Sequence, residues 1–137
     1  MTKTRYAGES SVGHAVVGTD DDGSPYLIGS RCPACGATSF PGRVLCARDL
    51  HECEPARLAN SGRIYEAVEV TLAPQGFLAP YWVGYIDLDA GPRVFGRIAV
   101  GTGEADPAHG DRVGLMIAIV NDPAEGPVFG PVFRKEK

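Results

Sequence analysis

A chain of 137 residues with 44% hydrophobic and 22% charged side chains has the make-up of a folded globule, either one compact domain or a small domain with a satellite module. Its net charge of −4 argues against a broad surface for nucleic acid or acidic membrane, and no apolar run approaches a membrane span. Eighteen glycines and eleven prolines fall between short apolar runs, which excludes a mainly helical chain and favours an all-β one.

Residues 1–25 are polar and carry the acidic turn TDDDG (19–23); an N-terminal arm is expected, with a short strand at residues 14–17. The first 17 residues lack the apolar stretch of a secretory signal, so the expected compartment is the cytoplasm, where thiols stay reduced. Residues 26–55 then hold all four cysteines, Cys32, Cys35, Cys46 and Cys53. Such clustering points to metal rather than to disulfides. YLIGSRCPACGATSFPGRVLC reads as a hairpin with Cys32 and Cys35 on a tight knuckle at its tip. Pro33 presets the turn, and Gly36 accepts the positive φ that lets backbone amides point at thiolate sulfur.

A zinc ribbon faces this knuckle with a second one, yet three residues after Cys46 stands Asp49. Three residues compete for the fourth place of the tetrahedron: Asp49 by spacing, His51, and Cys53. Thiolate is the better zinc ligand, so Cys53 is favoured, reached by a wider loop. No coordination position is left open for substrate, so the expected zinc is structural. The competing reading is that metal is absent and the cysteines pack as small hydrophobes.

From residue 56 to 137 extended segments alternate with turn signals. GRIYEAVEVT (62–71) is rich in β-branched residues, and YWVGYIDLDAG (81–91) is apolar on both faces up to Asp87, as in a strand buried on both sides. RVFGRIAV (93–100) puts Val94, Gly96, Ile98 and Val100 on one face and Arg93, Phe95, Arg97 and Ala99 on the other. RVGLMIAIV (112–120) lines up Val113, Leu115, Ile117 and Ile119. DAGP (89–92) is a hairpin turn and GTGEADPAHGD (101–111) a longer polar loop. Four or five strands of this kind suggest a small Greek-key barrel, the five-stranded OB-fold. The connection APQGFLAPY (73–81) is stiffened by two prolines and presents Phe77, Leu78, Pro80 and Tyr81, which marks it as a partner interface.

Taken in order, Phe40, Pro41, Arg43 and Cys46, then Ser61, Gly62, Arg63 and Tyr65, then PYWVGYIDLDAGPRVFGRI (80–98) resemble the OB-fold, zinc-ribbon acyl-CoA-associated family known as domain of unknown function 35. The likeness covers residues 26–134, and it implies a rubredoxin-like zinc ribbon followed by an OB barrel. It also implies a non-catalytic partner of a thiolase-superfamily enzyme, in a heterotetramer or similar assembly, with a coenzyme A thioester as ligand of the complex. Degradation of aromatic or steroid acyl-CoA compounds is the implied setting. The sequence departs from the family at Asp49, where a cysteine is usual, and in its short polar arm.

The residues themselves offer no catalytic set. His14, His51 and His109 are scattered and read as exposed or structural, and no nucleophile stands beside a base. Asp87 and Asp89 read as a strand end entering a turn rather than as an acid–base pair. Among Arg31, Arg43, Arg63, Arg93 and Arg97, Arg43 and Arg63 are candidates for coenzyme A phosphate contacts. The alternative function is a stand-alone OB-fold module for acyl-CoA or single-stranded nucleic acid, but an acidic chain does not suit the latter.

Overall fold

The computed structural model describes residues 5–6, 17–72, 80–121 and 128–136. Among these residues the chain forms strands and no helix: β1 (Arg5–Tyr6), β2 (Val17–Thr19), β3 (Pro25–Arg31), β4 (Thr38–Ser39), β5 (Glu54–Arg57), β6 (Ser61–Val70), β7 (Tyr81–Leu88), β8 (Arg93–Ala99), β9 (Arg112–Asn121) and β10 (Val128–Lys135). Among the described residues no helix is long and apolar enough to cross a membrane.

Strands β6 to β10 close into a five-stranded barrel. β6, β7 and β8 form an antiparallel meander, β8 pairs in parallel with β10, β10 runs antiparallel to β9, and β9 returns to β6. This order is that of an OB-fold. The alternation in β8 decides its inner face: Val94 and Ile98 are buried while Arg93 and Phe95 face outward. They meet Ile64, Ile86, Leu88, Val113 and Phe133 in one apolar cluster.

β7 departs from the expectation of burial on both sides. Ile86 is fully enclosed, but Tyr85 is 48% exposed, because the barrel is filled on its inside only. The apolar residues on its outer face therefore form surface, not core. A register shift in β6 between Ile64 and Glu66 is a bulge that leaves Tyr65 on the outside. Next to it, across from Ala67, a Cβ on Gly84 would fall 2.1 Å from the Glu66 carbonyl oxygen, so only glycine lets the two backbones approach there.

The ribbon is a smaller sheet built on β3, which pairs antiparallel with β2, β4 and β5. Its base is continuous with the barrel: Leu27 and Leu58 belong to the same buried cluster as Ile64 and Phe133, and the Leu58 amide donates to the Leu27 carbonyl at 3.0 Å. The N-terminal segment is tied down at two points, β1 beside β10 and β2 beside β3. Of the strand expected at residues 14–17, only Val17 lies among the described residues, and it opens β2. β10 was not foreseen from the sequence, where Gly130 and Pro131 interrupt it; even so, Val132 and Phe133 are buried.

Candidate functional site

Two tight turns face each other at the far end of the ribbon. In the first, the Cys32 amide donates to the Ala37 carbonyl at 2.9 Å and the Gly36 amide donates to the Cys32 carbonyl at 2.8 Å. Gly36 closes the turn with a φ of 81°. The second turn repeats this pattern position for position. The Cys46 amide donates to the His51 carbonyl at 2.9 Å and the Leu50 amide to the Cys46 carbonyl at 3.0 Å. Leu50 stands where Gly36 does, with a φ of 63°. The equivalent of Cys35 is therefore Asp49.

The ligand atoms of Cys32, Cys35, Cys46 and Asp49 all lie within 4.8 Å of one another, close enough to hold a metal ion. Cys35 Sγ is 3.7 Å from Cys46 Sγ, and Cys32 Sγ is 3.5 Å from each Asp49 carboxylate oxygen. Cys32 and Cys46 are buried, while Cys35 reaches the surface. Cys53, favoured from the sequence as the fourth ligand, is not in this group. It follows the second turn, with its amide donating to the Val44 carbonyl at 2.8 Å and its Sγ 4.0 Å from the His51 carbonyl oxygen. The backbone pairing that leads into β5 holds it there. His51 is also outside the group: its amide donates to Asp49 Oδ1 at 3.0 Å and its ring Nδ1 stands 3.2 Å from the same oxygen.

The electrostatics are those of acidic groups held close together. The His51 amide, followed by hydrogen bonds from Cys46, the His51 ring and Cys32, holds the Asp49 carboxyl well below the usual carboxylate range. Amides of Arg48 and Asp49 draw the Cys46 thiol down. At Cys35 the Ala37 amide pulls the same way, but desolvation and the neighbouring Cys46, Cys32 and Asp49 outweigh it and push the thiol up to about 11. Desolvation, then the charges of Cys32 and Cys46, raise Cys53. Negative donors packed this closely oppose one another's ionisation, and a divalent cation among them relieves that repulsion.

The other sequence candidates lie apart from this cluster. Arg43 is exposed in the segment leading to the second turn, its amide donating to Ser30 Oγ at 2.8 Å. Arg63 is on β6, with Nη1 donating to the Gly110 carbonyl at 3.1 Å. Phe77 and Leu78 lie outside the described residues. Pro80 is exposed, and Tyr81 has the Arg97 guanidinium 4.2 Å above its ring. Both border a shallow cleft of about 260 Å³ with Trp82, Ile98 and Val132. Asp87 and Asp89 are ion-paired to Arg93 and Arg112, and His109 Nδ1 lies 2.7 Å from the Tyr65 carbonyl oxygen. His14 lies outside the described residues.

Sequence reasoning missed two features. The first is Leu50 in the left-handed region; the repeat of a cysteine, two residues and a donor at 46–49 was the signal that could have found it. The second is the outward pair Tyr85 and Phe95, 60% exposed at Phe95, whose rings meet edge-on with centroids 5.3 Å apart. Their pairing across β7 and β8 follows from register and not from composition.

Comparison with known proteins agrees with this architecture. Residues 55–122 match the family described as the ChsH2 C-terminal OB-fold domain. The chain is 34% identical over 119 residues to the benzoylsuccinyl-CoA thiolase subunit BbsA of Thauera aromatica, covering 84% of this chain and 80% of that one. It is 30% identical over 115 residues to a DUF35 domain-containing scaffold protein of Methanothermobacter thermautotrophicus, covering 79% and 84%. Among solved structures it is similar to the Ltp2-ChsH2(DUF35) aldolase, with a TM-score of 0.63, 25% identity, and coverage of 80% of this chain and 84% of that one.

Proposed function

Because the chain belongs to the DUF35 family, we propose that it is an accessory subunit that binds and completes a thiolase-superfamily enzyme acting on acyl-CoA, and that it does no chemistry of its own. The observation that carries this reading is the likeness to a thiolase subunit, which extends over 84% of the chain and so takes in ribbon and barrel together. A second observation points the same way. The outer barrel face holds Tyr85 and Phe95 beside Arg93 and Arg97, the residue types that dominate protein interfaces.

In this reading the connection at residues 73–81 is a docking loop, with Phe77, Leu78, Pro80 and Tyr81 inserting into the partner. Arg43 and Arg63 reach the phosphates of the coenzyme A thioester held by the complex, as guanidinium groups suit phosphate oxygens. A structural zinc fixes the ribbon, so that its surface is rigid before the partner arrives and less order is lost on binding. The assembly is a heterotetramer or similar, and the setting is degradation of aromatic or steroid acyl-CoA compounds.

Co-expression with a thiolase-superfamily enzyme from the same genome tests the proposal. The two chains should co-elute, and a Phe77→Ala, Leu78→Ala variant should elute alone with an unchanged melting temperature. Each such anchor is worth about 2 kcal/mol of association. A lowered melting temperature with normal co-elution would instead assign both residues to the barrel core.

A further inference from the structure

We propose that Asp49 is the fourth ligand of a zinc centre otherwise made by Cys32, Cys35 and Cys46, that it binds through Oδ2, and that His51 positions its carboxylate. This assignment concerns the ribbon alone and does not depend on the accessory role.

Three observations carry it. The first is the repeated backbone frame. The hydrogen bonds that set Cys32 and Cys35 on one knuckle recur between Cys46 and His51, and they bring Asp49 to the place that Cys35 holds in the first turn. The frame survives even though Leu50 must take a left-handed φ of 63° to close it. A turn kept in a conformation unfavourable to leucine is held by something beyond its own propensity.

The second is the donor geometry. Around a tetrahedral zinc, with thiolates at about 2.3 Å and a carboxylate oxygen at about 2.1 Å, two sulfurs stand roughly 3.8 Å apart and a sulfur and an oxygen roughly 3.6 Å. The Cys35–Cys46 and Cys32–Asp49 separations are 3.7 and 3.5 Å, and these are opposite edges of the same figure. Two independent thiol hydrogen bonds would account for each distance singly. They give no reason for the two pairs to gather within 4.8 Å of one another.

The third is the division of labour within the carboxylate. Both carboxylate oxygens stand 3.5 Å from Cys32 Sγ, but Oδ1 also accepts the His51 amide at 3.0 Å and has the His51 ring nitrogen at 3.2 Å, contacts that Oδ2 does not share. Outer contacts of this kind orient a ligand and fix which atom binds. Cys53, whose amide is bonded to Val44, stays outside the tetrahedron. With one thiolate exchanged for a harder oxygen, the site suits a borderline divalent ion, zinc in the protein and cobalt(II) as its probe.

The experiment uses the full chain loaded with cobalt(II), whose thiolate-to-metal absorption grows with the number of coordinated sulfurs. Asp49→Cys should raise that absorption by about a third and tighten binding, while Cys46→Ala should lower it by about a third. Cys53→Ala and His51→Ala should leave its intensity unchanged. In competition with a chelator, Asp49→Ala should bind cobalt at least about tenfold more weakly. If Asp49→Ala does not fold, Asp49→Cys and Cys53→Ala decide the matter between them. Loss of a third of the band in Cys53→Ala with no change in Asp49→Ala, or failure of the unaltered chain to take up cobalt or zinc, would overturn the assignment.

Discussion

The ribbon and the barrel are both built of β-strands and share Leu27 and Leu58 at their junction, yet different physics fixes each. The barrel encloses Ile64, Ile86, Val94, Val113 and Phe133, each at most 1% exposed, and apolar burial specifies its shape. At the outer end of the ribbon, Cys32 and Cys46 are the buried side chains, while Val44, Leu45 and Leu50 face solvent. There the fold rests on two hydrogen-bonded turns and on four converging donors. A barrel strand can be read from which residues are apolar, whereas the ribbon is read from which residues can share one cation.

The largest expected effect lies on the barrel side of that contrast. Phe133→Ala removes a fully enclosed ring and should cost about 3–5 kcal/mol, a large part of a domain's stability. Because the ribbon's base shares that cluster, both regions should melt earlier, with or without metal. A barrel-only change in denaturant titration would show that the two cores are separate.

Removing the proposed zinc should act on the other side. The single tryptophan, Trp82, sits in β7 against the barrel core and reports on the barrel alone. A strong chelator, or Cys46→Ser, should speed amide exchange across residues 32–53 while leaving Trp82 emission near its starting value. The Cys46→Ser variant should also lose most of its difference from the unaltered chain once both are held in chelator. Collapse of the Trp82 signal on chelation would mean that the metal holds up the barrel as well.

On the barrel surface acidification gives a smaller effect. Hydrogen bonds from Arg93 and from Arg112 lower Asp87 and Asp89, and the Ala108 amide followed by Lys135 lowers Asp111, all from an ordinary value of 3.8. Lowered carboxylates add stability that is complete above that value and lost as pH falls through their folded values. The melting temperature of the barrel, followed by Trp82, should therefore hold above about pH 5 and decline below about pH 4, weakly, since these pairs are solvated. A melting temperature that rises on acidification would contradict this.

Smallest of all, Leu50→Gly should stabilise the ribbon. A left-handed leucine costs about 1–2 kcal/mol, and the entropy of a glycine returns about 0.5–1 kcal/mol of that gain. Leu50 is 72% exposed, so little packing is lost. Slower amide exchange in the second turn, at unchanged barrel stability, is the expected result.

The barrel was legible wherever one face of a strand is apolar and the other is not. The alternation in β8 separated Val94 and Ile98 from Arg93 and Phe95, as the structure does. It failed in β7, where Tyr85 on the outside is as apolar as the residues within, so periodicity cannot tell surface from core. It failed again in β10, whose partners lie far off in sequence and whose Gly130 and Pro131 look like a turn. In the ribbon, the first knuckle was readable from Gly36. At the second, ligand chemistry favoured Cys53, whereas the backbone frame brings Asp49 into the cluster. A preference for thiolate acts on atoms that can already meet, and the turn determines which ones do.

The accessory role is the central claim, and reconstitution tests it most directly. The purified chain, its thiolase-superfamily partner and the two together are assayed for cleavage of acyl-CoA thioesters. The account predicts no turnover by this chain alone, and full turnover only when both are present. Turnover by this chain alone, persisting through repurification, would contradict it.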